Sequence, residues 1–383
     1  MKTSDKSRML WIDGLKGLSC LGIFMHHFMY AFYPASIIST AAIPHFKYET
    51  MLSQSALSVF FNGNFLVFVF CILSGYLISA STLKSKKINV TNSITKRYLK
   101  LTIPVIIIGI VVWLLSSFNL FFNQEVSMIT SSDWLRMFYA EKVSLFNVLK
   151  SSIFIAPFFG DTYISNAFWM YGYILSGSSL IYLFGPLLKK EKINILFVII
   201  PLIGFIFTAN FLACFVIGYL LCLLFNSDFV KNMKYKNIIG IVLILIGLYF
   251  GGYPSCIVPT NYYAITTFSN CFYPHLIGAC CLIIGINFTN IFKRILSNRL
   301  FVNLGKISFS IFLIHIPLIF SYSTFLFKKL IPNHRYNYDC LIVFISTLII
   351  LIILSYLFNL LEKRISKYVN SKIEGKTSLT VNI

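Results

Sequence analysis

The chain has 383 residues, of which 57% are hydrophobic and only 11% charged. A water-soluble fold of that length cannot hide so much apolar surface, so a soluble enzyme is excluded. The net charge of +20 would suit a nucleic-acid binder, but the cations are distributed between apolar segments in the way a membrane dictates.

Runs of about 20 apolar residues, each long enough to cross a bilayer as a helix, predict an all-α polytopic membrane protein. Ten spans are expected, at about 10–33, 58–80, 101–118, 167–188, 193–208, 210–225, 238–254, 271–290, 306–328 and 340–361. An even count puts both termini on one side. With those termini in the cytoplasm, cytoplasmic segments hold 24 of the 32 Lys and Arg, outer segments hold seven, and Lys16 lies inside the first span. The positive-inside rule therefore orients both termini toward the cytoplasm. The basic start (Lys2, Lys6, Arg8) is not followed by a small-residue cleavage site, so the first span is expected to stay. Residues 1–365 read as one membrane domain and 366–383 as a short, polar, mobile cytoplasmic tail. No internal repeat is visible, which argues against a transporter of two inverted halves. The nine Cys have no CxxC or Cys/His spacing, so no metal site is expected. Cys256 and Cys271 flank one outer loop and could form a disulfide.

The first span carries the most chemistry. Trp11–Phe28 holds Asp13, Lys16, His26 and His27 in an otherwise apolar segment. Ionisable groups at membrane depth are costly and usually serve a site. Lys16 and His27 are about three helical turns apart, on nearly one face and roughly 16 Å from each other, while His26 points about 100° away. Asp13 can pair with Lys16 at the cytoplasmic end. Lys16 can equally snorkel to the interface.

In the second span, Leu73-Ser74-Gly75-Tyr76 offers small residues. They suit close helix packing, or a narrow slot where an acyl chain or thioester passes the backbone. Lys96-Arg97-Tyr98-Leu99-Lys100 precedes the third span. Its cations can enforce topology, meet anionic lipid, or bind the phosphates of a nucleotide-bearing donor. Outer loop 119–166 is expected to carry short helices at the membrane surface, and outer loop 255–270 is uncharged and rich in Tyr and hydroxyls. In the ninth span, Ser308 and His315 are two turns apart on one face, beside Pro317. His315 either takes part in chemistry or bonds a carbonyl freed by Pro317. His334 to Asp339 matches a short HxxxxD pattern, but in a small outer loop away from any cytoplasmic donor, and reads as chance.

Together these residues resemble a known family. The order IDGLKG, HHF, LSGYLIS, RYLK, FW at 168–169 and LGKISFSIFLIHIP is similar to acyltransferase family 3, the integral membrane O-acyltransferases of bacterial surface polysaccharides. The resemblance maps the family's Arg/Lys-x10-His motif onto Lys16 and His27, its RxxR motif onto Arg97 and Lys100, its SGF-like motif onto Ser74 to Tyr76, and its late histidine onto His315. Lys stands at 16 and at 100, where Arg is commoner. Many members carry Glu five residues after the Trp numbered 169 here, where this chain has Ile174. The esterase-like domain fused to some members is absent from this sequence.

The resemblance implies O-acylation, most simply acetylation, from cytoplasmic acyl-CoA to a hydroxyl of a surface glycan or its polyisoprenoid-linked precursor, in the bacterial cell membrane. It implies His27 and His315 as catalytic; Lys16, Arg97, Lys100, Ser74 and Gly75 as donor-binding; and Asp13, Ser308 and Trp169 as supporting. No resident cofactor and no nucleic acid are expected; membrane lipid and a second copy of the chain are candidate partners. His27 can act as general base or as acyl carrier, and the sequence does not choose. A transporter or flippase of lipid-linked glycans is the competing reading. It shares the span count and the basic inner face, but would move substrate without consuming acyl-CoA.

Overall fold

The computed structural model describes residues 9–38, 43–85, 88–188, 196–254, 268, 270–332 and 335–379. Among them there are helices and no strands. Helix α1 (Leu10–Phe32) runs inside the bundle, with Trp11, Ile12, Phe24, Phe28 and Phe32 all buried. Its polar residues are tolerated because they face other helices and not lipid.

The chain then passes through the short α2 (Glu49–Ser53) into α3 (Gly63–Lys84), whose N-terminus is capped by Asn62 accepting from the Phe65 N–H. Helix α4 (Val90–Ser117) starts the same way, with Asn89 accepting from the Asn92 N–H. The long loop that follows does fold into short helices: α5 (Asn123–Thr130), α6 (Asp133–Arg136), α7 (Leu145–Lys150) and α8 (Ala156–Phe159). Helix α9 (Trp169–Leu188) returns through the bundle. Helices α10 (Leu196–Phe207), α11 (Leu212–Asn226), α12 (Asp228–Lys231) and α13 (Lys236–Gly251) lead to α14 (Phe272–Phe288), which bends by 98° into α15 (Asn290–Leu296). Then come α16 (Arg299–Lys306), α17 (Ser308–Leu318), a π turn over Ile319–Ser323, α18 (Thr324–Leu330) and α19 (Tyr336–Leu379).

Among the described residues, five helices are long and apolar enough to cross a membrane, and six if the bent α14–α15 pair counts as one span. They are α3, α4, α9, the α17–α18 unit and α19. The remaining expected spans are present as helices of other character. Helix α1 is long but carries its ionisable residues, and α10, α11 and α13 are apolar with only 12, 15 and 16 residues. On α19, Leu341, Ile345, Ile349, Ile353, Leu357 and Leu360 are exposed, a stripe suited to hydrocarbon and not to water. Helix α19 continues through the segment after Glu362, to Leu379. Residues 362–374 contain no Gly or Pro to stop it. Cys256 and His334 lie outside the described residues, as does nearly all of loop 255–270.

Two close crossings set the geometry. Helix α1 meets α15 and α16 through glycines. A Cβ on Gly14 would lie 2.0 Å from the Leu296 carbonyl oxygen, and one on Gly17 would lie 2.5 Å from the Gly305 nitrogen. Helix α3 meets α11 likewise, with Gly75 against the Phe215 backbone and Gly218 against the Ile72 carbonyl. The Tyr76 hydroxyl donates to Met9 Sδ at 3.2 Å, and the Ser310 hydroxyl donates to Glu362 at 2.8 Å. The N-terminus of α1, the C-terminus of α3 and the start of α17 thus share one end of the bundle. Lys84, Lys96, Arg97, Lys100, Lys293 and Arg294 gather toward it by the direction of their helices.

Candidate active site

His26 and His27 occupy consecutive positions of α1, yet both line one cavity of about 220 Å³. Helical phase alone favours His27; the structure gives both a wall position. His26 turns toward the start of α3. Its Nδ1 lies 3.0 Å from the Phe61 carbonyl oxygen, which can only accept, so Nδ1 carries the hydrogen. Gly63 leaves room for this ring, since a Cβ there would sit 2.6 Å from His26 Cδ2.

His27 turns toward α17, and its Nδ1 lies 3.1 Å from His315 Nε2. His315 is buried, with Nδ1 2.9 Å from the Ile311 carbonyl oxygen one turn back. That oxygen accepts only, so His315 Nδ1 donates. A neutral imidazole has one donor and one acceptor, which makes His315 Nε2 the acceptor. His27 Nδ1 therefore donates. The lone pair of His27 remains on Nε2. Assigned from this hydrogen-bond pattern, the relay Ile311–His315–His27 has one direction and ends in a base. Pro317 has no part in it: the carbonyl that this proline would free is that of Leu313, four residues back.

Aromatic rings hold the His27 plane. Trp134 of α6 stacks on His27 with centroids 5.3 Å apart and on Tyr30 at the same separation. Phe320, in the π turn, meets the indole edge-on at 4.8 Å. His27 thus sits between an indole and the His315 ring, whose centroid is 5.0 Å away.

The remaining wall combines the carboxamides of Asn64 and Asn166 with Trp169, Met170, Ile174 and Phe312. Cys20 and Phe70 also line it. Lys16 does not. Its ammonium stands 5.0 Å from the centroid of the Phe70 ring, between the cavity and the basic end of the bundle.

A second pocket of about 520 Å³ opens at that end between α3, α4 and α9. Lys96, Arg97 and Lys100, all half-buried, line it with Thr82, Asn92 and Tyr182. Arg97 Nε donates to Ser178 Oγ at 3.1 Å. Helix α9 connects the two sites in steps of one turn: Ile174 faces the cavity, Ser178 holds Arg97, and Tyr182 lines the basic pocket. Ile174 and Tyr182 are ~12 Å apart along that helix.

Ser74 and Gly75 line neither of these two sites. The Ser74 hydroxyl donates to the Phe70 carbonyl of its own helix. A Cβ on Gly75 would lie 2.6 Å from the Phe215 carbonyl oxygen, so α11 already fills the slot that this glycine leaves. Ser308 donates to the Gly305 carbonyl. The Asp13 backbone packs against Gly305, where a Cβ would lie 2.0 Å from the Asp13 carbonyl oxygen. His26, Asn64, Trp134 and Asn166 were not expected from sequence. Among the described residues, no group of three or more His, Cys, Asp or Glu could hold a metal ion.

No curated protein and no solved structure matches this chain. A family model described as an acyltransferase domain, that of acyltransferase family 3, matches residues 9–360 of the 383. The match encloses every helix that builds the cavity and the basic pocket. The chain is a member of acyltransferase family 3, a membrane acyltransferase.

Proposed function

We propose that this protein transfers a short acyl group, acetyl in the simplest case, from acyl-CoA to a hydroxyl of a surface glycan or of its lipid-linked precursor, in a bacterial cell membrane. The basic end of the bundle faces the cytoplasm in this reading, in keeping with the Lys and Arg distribution. Arg97, Lys100 and Lys96 take the phosphates of the donor, because guanidinium and ammonium groups suit them. Lys16 stands along the way, and the thioester enters the cavity beside His27. A volume of about 220 Å³ lies below the ~300–1,000 Å³ of ordinary ligand pockets, which favours a small acyl group meeting one sugar hydroxyl over a long chain or a whole sugar.

His27 Nε2 accepts the proton of the acceptor hydroxyl as its oxygen attacks the thioester carbonyl. The tetrahedral intermediate collapses, the C–S bond breaks, and the proton on His27 passes to the departing sulfur. The products are the ester and free CoA. His315 keeps the His27 tautomer and is a positioning residue. The directed relay Ile311–His315–His27 is the observation that carries this reading, and it favours general-base catalysis over an acyl-histidine.

The test is mass spectrometry of the surface glycan from cells carrying the wild-type gene, no gene, or His27→Ala at matched protein level. Acylation present only with the wild type is the expected result. Unchanged acylation without the gene overturns the acceptor class, and unchanged acylation with His27→Ala overturns the role of His27.

A further inference from the structure

On the far side of α1 from the two histidines lies an apolar groove of about 570 Å³. It shares no lining residue with the histidine cavity. Leu18 and Met25 form its α1 wall, and Leu248, Leu282, Phe292 and Phe344 enclose it from α13, α14, α15 and α19. Among the described residues, Ser19 is the one polar side chain on it, and its hydroxyl donates to the Leu15 carbonyl at 2.9 Å. Such a surface offers nothing to water or to a sugar, so its occupant is hydrocarbon.

The groove has a charged end. Where α14 bends by 98° into α15, Lys293 follows the lining residue Phe292. Lys236, at the start of α13, holds its ammonium 5.5 Å from the centroid of the Phe288 ring at the same bend. The Asn237 side chain accepts from the Asn290 N–H at 3.3 Å and keeps the two segments together. Both lysine residues are half-buried at this bend. Among the described residues, neither is paired with a carboxylate. Like charges held together at a membrane surface without an acid are stabilised by an anion.

We propose that this groove is a binding site for one anionic phospholipid of the surrounding bilayer. The phosphate sits at Lys236 and Lys293, and an acyl chain lies along Leu248, Leu282 and Phe344. Its place behind α1, with no lining residue in common with the His27 cavity, suits a resident lipid better than the carrier of the acceptor. The proposal stands independently of the acyl-transfer reading.

The test is native mass spectrometry of the purified, delipidated protein titrated with phosphatidylglycerol, with phosphatidylcholine of the same chains, and with a polyprenyl phosphate. One phosphatidylglycerol is expected to bind in preference to phosphatidylcholine. Neutralising each lysine should weaken it about fivefold, so K236Q/K293Q loses the preference while K236R/K293R retains it. Leu282→Trp, with both lysines intact, should block lipid retention by filling the groove. Equal binding of the two phospholipids by the wild type overturns the proposal. So does a preference that survives K236Q/K293Q in protein that elutes as the wild type does. Stronger retention of polyprenyl phosphate than of phosphatidylglycerol overturns it in favour of an acceptor-carrier site.

Discussion

His27 Nδ1 and His315 Nε2 lie 3.1 Å apart, joining two helices whose sequence positions differ by 288 residues. Because His315 also donates to Ile311, this contact fixes which nitrogen of His27 bears the hydrogen. His27→Ala should reduce acyl transfer by roughly 10²- to 10⁴-fold, the usual worth of a general base. His315→Ala should cost less, roughly tenfold to a hundredfold, the equivalent of ~1–3 kcal/mol for an unmade buried hydrogen bond. The informative variant is His315→Gln, whose carbonyl oxygen can still accept from His27 Nδ1. Turnover with partial recovery over His315→Ala, at unchanged donor KM, is expected. If Gln and Ala behave alike, the tautomer argument fails.

Arg97 and Lys100 line one polar pocket with Lys96, and Arg97 is tied to α9 through Ser178. Arg97→Gln/Lys100→Gln should raise the KM for acyl-CoA at least tenfold and steepen with salt, since charge-assisted phosphate contacts are screened by ions. The value of kcat at saturating donor should change little, because the cavity lies ~12 Å away along α9. Equilibrium binding of CoA to the two proteins at two ionic strengths measures this directly. Equal affinities would remove these residues from the donor site.

The small residues of the SGY motif have two readings in the sequence, and the geometry separates them. A Cβ on Gly75 meets the Phe215 carbonyl oxygen at 2.6 Å and Phe215 Cα at 2.7 Å, both backbone atoms that cannot turn aside. Gly75→Ala should therefore push α3 from α11 and cost about 1–3 kcal/mol of stability. A lower melting temperature in lipid nanodiscs, with CoA affinity retained in the folded fraction, is the expected pattern. Loss of CoA affinity at an unchanged melting temperature would restore the donor role to this glycine.

Much of the architecture was legible because membrane helices announce themselves by length and apolarity. Helices α3, α4, α9, α17–α18 and α19 fall where the apolar runs predict. Helix α1 was legible for the opposite reason, since Asp13, Lys16, His26 and His27 are too costly to face lipid. Periodicity says which face a residue takes, and this picked His27. It could not exclude His26, because a cavity wide enough to wrap α1 reaches positions 100° apart. It could not reach Trp134 either. That residue stands on a four-residue helix in a surface loop, and only the folding of that loop over α1 brings it onto His27. The length of α19 was not legible for a simpler reason: Lys, Glu and Ser end an apolar run without ending a helix.

Trp134 gives the loop a role that can be measured. Its indole stacks on His27 and on Tyr30 and is itself braced by Phe320. Trp134→Phe keeps a stacking face, while Trp134→Ala removes it and leaves His27 against the His315 and His26 rings. If the indole serves to hold that plane, Trp134→Phe should retain most of the turnover and Trp134→Ala should lose tenfold or more, both with unchanged CoA affinity, because the basic pocket is elsewhere. Truncating a buried tryptophan also costs about 3–5 kcal/mol of stability, so turnover must be compared at a temperature where both variants are folded. Under those conditions, equal turnover for Ala and Phe would reduce Trp134 to packing, and a fall that tracks the melting temperature alone would do the same.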